Sequence, residues 1–180
     1  MKNILYLSTI ALLAVSAVSC TDNKRAKNYN EKTLVDDKAI AFVKESLEAG
    51  MTEIKAATVA QSKSKNPRVI NFAKMMIADH NAMGIELKKL ADEKYINRKA
   101  ANDTLRVENQ EMIDKLKPLT GLSFDKAYMQ MMVADHAKVI DLFRSATRNR
   151  TNAIDNIAEK SLPKLIMHLD SAKAINASLK

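Results

Sequence analysis

Glycine and proline are scarce in this chain, and their scarcity restricts the fold more than any other feature of the sequence. The 180 residues include three Gly and three Pro. A strand-rich fold of this length needs a turn after roughly every 8 to 12 residues, which so few turn-forming residues can hardly supply. Long stretches rich in Ala, Lys, Glu, Leu and Met are good helix formers. The sequence therefore predicts an all-α chain.

Apolar residues spaced three and four apart predict two long helices in the first half of the chain. The first runs from Asp36 to about Ser64, and the second from Pro67 to about Glu93. Asn66 and Pro67 together are typical of a helix start, because a capping side chain is followed by Pro in the first turn. The inner face of the first helix is predicted at Ile40, Val43, Leu47, Gly50, Ile54, Ala57 and Gln61.

Two further long helices are predicted in the second half. Ser123 can cap a third helix over residues 124–148. Thr151 or Asn152 can cap a fourth helix, which ends near Leu179. Each of the four helices is long enough to span a small bundle at 1.5 Å per residue.

The connection between helices two and three is long, 29 residues from 94 to 122. It contains a short helix predicted over residues 104–117, which Pro118 and Gly121 end. A connection of this length can travel along the whole bundle. We therefore expect a ferritin-like four-helix bundle with a long crossover between helices two and three, and an up-down-up-down bundle is the alternative.

The first 20 residues have the layout of an export signal. One cation, Lys2, precedes an apolar run from Ile4 to about Val18, and small residues follow before Cys20. The run is about 15 residues long, whereas a membrane-spanning helix needs roughly 20. The ending AVSC resembles the lipobox of bacterial lipoproteins, whose Cys carries the lipid. The chain has one Cys, which excludes an internal disulfide and is consistent with lipidation.

The sequence thus predicts three segments: a signal peptide over residues 1–19, a polar tether over residues 20–35 that begins at the lipidated Cys20, and a helical-bundle domain over residues 36–180. An uncleaved signal anchor is the alternative for the N-terminus. We expect an exported lipoprotein, anchored by its lipid at the periplasmic side of a membrane or at the cell surface. The net charge of +8 comes from lysines spread along every segment, which favours a basic surface near anionic lipid headgroups over nucleic-acid binding.

A short motif occurs twice with an offset of 56 residues. Residues 72–80 are FAKMMIADH and residues 128–136 are YMQMMVADH. The repeat supplies two of the three histidines of the chain, each preceded by Asp. Either the chain repeats a packing unit, or it brings two Asp-His pairs to one place.

The three histidines, His80, His136 and His168, lie on three different predicted helices and point inward. Each lies close to the middle of its helix, so that all three are expected within about 6 Å of one height in the bundle. Glu53 shares that level at the edge of the first helix. Imidazoles that converge in this way predict a transition-metal site of copper, iron or zinc, with His80, His136, His168 and Glu53 as its ligands.

Four neighbouring side chains are expected to support this site. Asp79 and Asp135 point about 100° away from the His that follows each of them, so each is expected to face another helix and to hold a ligand there. Met76 and Met132 precede His80 and His136 by one turn, and thioether with imidazole suits copper. The alternative is that the histidines are core residues paired with Asp, and that the methionines fill the core.

Three stretches of the sequence carry a family resemblance: FVKESLEAGMTEIKAATVAQSKSKNPRVINFAKMMIADH, GLSFDKAYMQMMVADHAKVIDLF and AEKSLPKLIMHL. They resemble the bacterial domain of unknown function 4142, a ferritin-like family of exported proteins and lipoproteins. The resemblance covers about residues 36–179. Its motifs are Gly50-Met51 with Glu53, Asn66-Pro67, Phe72 with Met75 and Asp79-His80, Phe124-Asp125 with Tyr128, Asp135-His136, and Leu162-Pro163 with His168. The resemblance implies a fold and a location, but no catalytic role.

Motifs for enzymatic chemistry are missing from the sequence. Ferritin-like di-iron enzymes use Glu-x-x-His on two helices, but here Ile77 and Val133 stand where those glutamates would be. The sequence also lacks a Gly-rich phosphate loop and a nucleophile elbow, so no catalytic residue is predicted.

Two functions stay open. One is a metal-binding module, and the other is a structural or stress-related envelope protein that binds a protein partner or itself and uses the Asp-His repeat for packing. An enzyme with histidine as acid or base is a third, weaker alternative.

Overall fold

Five helices make up most of the chain that the structure describes. The computed structural model describes residues 35–94, 96 and 105–180, and no strand occurs among them. The helices are α1 (Asp37–Lys63), α2 (Pro67–Glu93), α3 (Val107–Leu116), α4 (Gly121–Ala146) and α5 (Asn152–Ser178). The prediction of an all-α chain is confirmed. The predicted signal peptide, Cys20 and the tether up to residue 34 lie outside the described residues.

The predicted starts of the first two helices are confirmed. Asp36 caps α1 by accepting a hydrogen bond of 2.7 Å from the backbone N–H of Ala39. Asn66 caps α2 in the same way, through a 3.0 Å bond from the N–H of Arg68, and Pro67 occupies the first turn. Both caps satisfy a backbone donor that has no partner within its helix.

The predicted start of the third long helix is wrong by three residues. We expected it at residue 124 after a cap at Ser123, but α4 begins at Gly121 with Thr120 as its N-cap residue. Gly121 has a φ of +53°, which only glycine adopts without strain. The glycine therefore lets the chain turn directly into α4 instead of merely ending the short helix before it.

The topology is that of a bundle with one long crossover. Helix α1 packs against α2 and α4, and α5 packs against α4 and α2. Lys63 at the end of α1 bonds the carbonyls of Lys117 and Leu119 just before α4, so α1 and α4 are antiparallel. Arg68 at the start of α2 bonds Ser178 at the end of α5, so α2 and α5 are antiparallel as well. Residues 64–66 join α1 to α2, so these two helices are antiparallel as well. Helices α2 and α4 are therefore parallel, and the end of α2 and the start of α4 lie at opposite ends of the bundle.

The hydrophobic core is divided into two clusters, which we call the upper and the lower apolar cluster. The upper cluster includes Phe42, Leu87, Phe143 and Ile154, near the start of α1. The lower cluster surrounds the Phe124 side chain near the end of α1. Between the two clusters lies a layer of buried polar residues. None of the helices in the described part of the chain has the length and apolarity that a membrane span requires.

The predicted inner face of α1 is rotated from the observed one. Only Val43 and Ala57 of that face are buried, whereas Ile40, Leu47 and Ile54 line a groove beside α2. The buried residues of α1 are Ala39, Phe42, Val43, Ser46, Thr52, Glu53, Ala56, Ala57 and Ala60. The buried alanines allow close helix packing but add little to the apolar periodicity of the sequence. The large residues Ile40, Leu47 and Ile54 therefore determined the predicted face.

The glycines give a test of these backbone assignments. We expect Gly121→Ala to destabilise the protein by about 1–2 kcal/mol, because a left-handed residue would gain a Cβ. Gly84→Ala is the matched control, since its Cβ would meet nothing within 4 Å and α2 would gain helix propensity, worth up to about 1 kcal/mol of stability. Urea unfolding of both variants measures the two effects, and shifts of the same sign would contradict the assignment.

Candidate metal centre

The polar layer contains one side chain from each long helix. Glu53 comes from α1, His80 from α2, His136 from α4 and His168 from α5. All four are buried, with exposures of 1%, 3%, 0% and 0% respectively. The imidazole ring centres lie 5.4 to 5.6 Å from one another. The prediction that the three histidines share one height in the bundle is therefore confirmed.

The three imidazoles present nitrogen atoms to one small space. One nitrogen from each ring lies within 4.8 Å of the other two. Nε2 of His136 and Nδ1 of His168 are 3.4 Å apart. Two nitrogens bound at about 2.0–2.1 Å to one tetrahedral ion would lie about 3.3–3.4 Å apart. This pair therefore already has the spacing of two ligands of a single ion.

Hydrogen bonds fix which nitrogen of two rings faces the centre. Nδ1 of His136 lies 3.0 Å from the carbonyl oxygen of Met132, one turn back on α4. Nε2 of His168 lies 2.9 Å from Oδ2 of Asp79, and Lys164 donates a 2.7 Å bond to the other oxygen of Asp79. Each of these ring nitrogens donates its proton outward, which leaves Nε2 of His136 and Nδ1 of His168 as lone pairs that face each other.

Glu53 and His80 have side-chain atoms without hydrogen-bond partners. Its Oε2 is 3.0 Å from Nε2 of His80, and its Oε1 is 3.2 Å from Nδ1 of His136. These contacts are electrostatic and are not hydrogen bonds: both carboxylate oxygens and Nε2 of His80 are buried without a hydrogen-bond partner. Such groups are costly to bury unless something satisfies them. A cation that Glu53 and His80 share would satisfy all three atoms.

The position of Glu53 corrects the prediction that it lies at the edge of its helix. The carboxyl is fully buried because α1 is rotated relative to its predicted orientation. The same rotation brings Gly50 of α1 against His80, where an added Cβ would lie 3.6 Å from Nδ1. Glu53 therefore contacts two of the histidines instead of flanking the site.

Burial and charge set the protonation of these groups. Burial lowers the pKa of His136, and it lowers the pKa of His168 to about 4 despite the hydrogen bond to Asp79. Burial opposes ionisation of Glu53, but the imidazoles of His80 and His136 outweigh it and hold the pKa of Glu53 below its ordinary value. The lowered pKa values of His136 and His168 favour the neutral form of imidazole, which is the form that binds a metal ion.

The two Asp residues of the repeated motif have different surroundings. Asp79 faces another helix, as expected, where it holds His168; burial acts against its ionisation, but Lys164 and His168 lower its pKa. Asp135 has Oδ1 3.8 Å from Nζ of Lys138 and no hydrogen-bond partner at Oδ2. Burial and the charge of Glu53 raise the pKa of Asp135 to about 6.

Met76 and Met132 lie in the lower apolar cluster, and both are fully buried. Their surroundings are those of core-filling residues. Sequence reasoning missed Lys164, which bonds Asp79 behind His168. Its signal was its position one turn before His168 on the same helix, where a cation can reach a carboxylate on the neighbouring α2.

Two cavities approach the layer from the surface. A groove of about 920 Å³ between α1 and α2 reaches His80. A smaller cavity of about 250 Å³, between α1, α3 and α4, reaches Glu53 and Asp135. The centre is therefore buried but not sealed off from solvent.

Fold and centre together define a class of protein, a four-helix bundle with one crossover and a buried layer of three histidines and a glutamate. Within this class the chain belongs to the family described as "Domain of unknown function (DUF4142)", whose model matches residues 24–175. The resemblance that the sequence motifs suggested is thereby confirmed. No curated protein and no solved structure matches the chain.

The Asp79 contact gives a test of the layer that needs no metal. We expect Asp79→Ala to destabilise the protein by about 1–3 kcal/mol, because it leaves a buried N–H of His168 without an acceptor. Asp141→Ala on α4 is the control: Asp141 is 78% exposed and 3.5 Å from Arg144, so its loss should change stability by less than about 0.5 kcal/mol. Chemical unfolding compares the two, and equal effects would show that the Asp79 contact contributes nothing.

Proposed function

We propose that this protein is an exported, lipid-anchored bundle that binds one transition-metal ion at the layer of Glu53, His80, His136 and His168. The convergence of three imidazole nitrogens within 4.8 Å of one another is the observation that carries the proposal. Isolated core histidines need one hydrogen-bond partner each, and they do not need to meet. Three imidazoles that converge beside a carboxylate without hydrogen-bond partners are explained better by a bound cation than by packing alone.

The donor set favours an ion that imidazole suits, which includes zinc, copper and iron. The 3.4 Å separation of Nε2 of His136 from Nδ1 of His168 matches a tetrahedral site, which zinc prefers. The apolar surroundings of Met76 and Met132 make the thioether arrangement for copper a second choice. When bound to the three imidazoles, the ion would hold α2, α4 and α5 together at mid-height, and the carboxylate of Glu53 on α1 would lie beside it to balance its charge.

The sequence before the bundle supports the proposed location. An apolar run followed by AVSC at Cys20 is the pattern of a lipid-anchored export signal, and the family resemblance implies the same location. We infer that lipidated Cys20 anchors the chain in a membrane and that the polar residues after it separate the bundle from the lipid surface.

Elemental analysis tests the metal proposal. We expect the full chain, purified without chelators or an added His tag, to carry about one equivalent of a transition metal. The chain has three histidines and all of them lie in the layer, so imidazole-dependent binding reports on this site alone. The His80→Ala/His136→Ala double variant should lose the metal, and Asp141→Asn on the exposed face of α4 should keep it.

Absence of metal from the wild-type chain, even after supplementation with copper, iron, zinc and manganese, would contradict the proposal. Metal retained by the double variant would contradict the assignment of the ligands. Circular dichroism of the double variant separates loss of a ligand from loss of the fold.

The second candidate is a structural or interaction protein of the cell envelope in which the layer fixes helix register. It is favoured by the contacts of His136 with Met132 and of His168 with Asp79, which satisfy two ring nitrogens without an ion. Buried polar groups can specify packing at some cost in stability.

His80→Leu distinguishes the two candidates. If the layer binds metal, we expect this variant to lose the ion and to keep its fold, and the added metal should no longer raise its melting temperature. If the layer is a packing device, the variant changes stability in either direction and metal has no effect on the wild type. The measurement is thermal unfolding of both chains with and without the metal that the elemental analysis identifies.

A further inference from the structure

The smaller cavity connects the metal centre with solvent. It has a volume of about 250 Å³ and lies between α1, α3 and α4. Glu53 of the metal centre lines it, and so does Lys138, whose side chain is 74% exposed. The oxygen-bearing side chains around it are Glu45, Thr52, Glu53, Asn109 and Asp135. The cavity therefore offers hard oxygen donors from the surface inward to the centre.

Two of these carboxylates have unmet bonding capacity. Both oxygens of Glu53 and Oδ2 of Asp135 are buried without a hydrogen-bond partner. Glu53 is 1% exposed and Asp135 is 9% exposed. Two such carboxylates on one cavity repel each other and attract positive charge, because buried charges are weakly screened.

The basic side chains at the cavity are engaged by acidic ones. Arg106 has its Nε 2.7 Å from Oε2 of Glu48, and its backbone N–H donates a 3.0 Å bond to Oε1 of the same carboxylate. Asn109 also bonds this oxygen, at 2.7 Å, so Glu48 fixes the start of α3 against α1. Lys138 has its Nζ 3.8 Å from Asp135 and is otherwise in solvent. Neither cation cancels the charge of Glu53.

The larger groove is a poorer path for a cation. Its lining includes four basic residues, Lys44, Lys55, Lys88 and Arg106, and three acidic ones, Asp37, Glu45 and Glu48. Where it reaches the centre it presents the ring of His80, not a carboxylate. A dication that followed the groove would therefore meet His80 without a buried carboxylate beside it, whereas the smaller cavity presents both Glu53 and Asp135.

We propose that a divalent transition-metal cation enters the metal centre through the cavity between α1, α3 and α4, and that Asp135 and Glu53 receive it as a pair of carboxylates. The inference rests on the proposed metal-binding function. Asp135 binds the ion while it passes through the cavity, and Glu53 transfers it to the imidazoles. The second copy of the Asp-His motif thus has a role that the first does not share, since Asp79 is already bonded to His168.

Stopped-flow mixing of the metal-free full chain with Co²⁺ tests this path, with the absorbance of the bound ion as the signal. Asp135→Asn removes the charge and keeps the volume of the side chain, and we expect association about tenfold slower. Ala49→Leu fills the cavity without changing charge and should slow association to a similar extent. Gly84→Leu, which fills the groove instead, is the matched control and should leave the rate unchanged.

Ionic strength provides a second signature that a merely structural role would not change. Salt weakens the attraction of Co²⁺ to the carboxylates of the cavity as well as its repulsion by the net charge of +8, so the attraction is measured as the difference in salt dependence between the wild type and Asp135→Asn. Asp135→Asn should lose part of that salt dependence. Asp141→Asn, which removes an equally charged but exposed group from the same helix, should keep it.

Three results would overturn the inference. Unchanged association in both Asp135→Asn and Ala49→Leu would exclude this path, and slower association in Gly84→Leu alone would assign entry to the groove. If Ala49→Leu does not fold, Asp135→Asn decides by itself. A wild-type chain that binds no Co²⁺ at equilibrium would contradict both the proposed function and this inference. Normal equilibrium binding with unaltered association rates in the cavity variants would contradict only the inference.

Discussion

The carboxylate of Glu53, buried at mid-height in the bundle, is the constraint on which the rest of the structure depends. An ionised group at 1% exposure is tolerated only beside positive charge or strong donors. The bundle places three imidazoles around it, one from each of the other long helices, and the two nearest nitrogens lie 3.0 and 3.2 Å from its oxygens without forming a hydrogen bond. Each long helix must therefore be held in a fixed rotation and height, since a shift of one residue would remove its side chain from the layer.

The apolar burial in the two clusters offsets the energetic cost of the polar layer. One lies above the layer and one below it, and each is built from all four long helices. Phe42 packs edge to face on Phe143 in the upper cluster, with ring centres 4.9 Å apart. Phe124 stacks on Tyr128 in the lower cluster at 6.2 Å. The apolar residues thus provide the favourable burial, while the layer sets the register that burial alone would leave free.

The heights of the site residues could be predicted from the sequence, but not all of their directions. Height depends only on the helix boundaries and a rise of 1.5 Å per residue, so the meeting of the three histidines followed from Asn66-Pro67 and from the lengths of the helices. Direction depends on which face is buried, and on α1 the alanines that pack against other helices gave a weaker signal than Ile40, Leu47 and Ile54. Glu53 was therefore predicted at the edge, although it is the most central acid of the layer. The left-handed conformation of Gly121 could not be predicted from the sequence, because it is visible only in the backbone angles of the folded chain.

The two copies of the MMxADH motif lie on α2 and α4, which are parallel and diagonally opposite in the bundle. A half-turn about the bundle axis therefore exchanges the two copies, and it also exchanges α1 with α5. Under this exchange His168 and Glu53 occupy equivalent places, one beside Asp79 and one beside Asp135. Asp79 accordingly finds an imidazole N–H at 2.9 Å, whereas Asp135 faces a carboxylate and keeps an oxygen without a partner. A symmetric layer of four imidazoles would carry no charge of its own when neutral. Replacement of one imidazole by Glu53 introduces an acidic group into the layer on the side where the cavity opens, which is the asymmetry that the proposed cation binding would use.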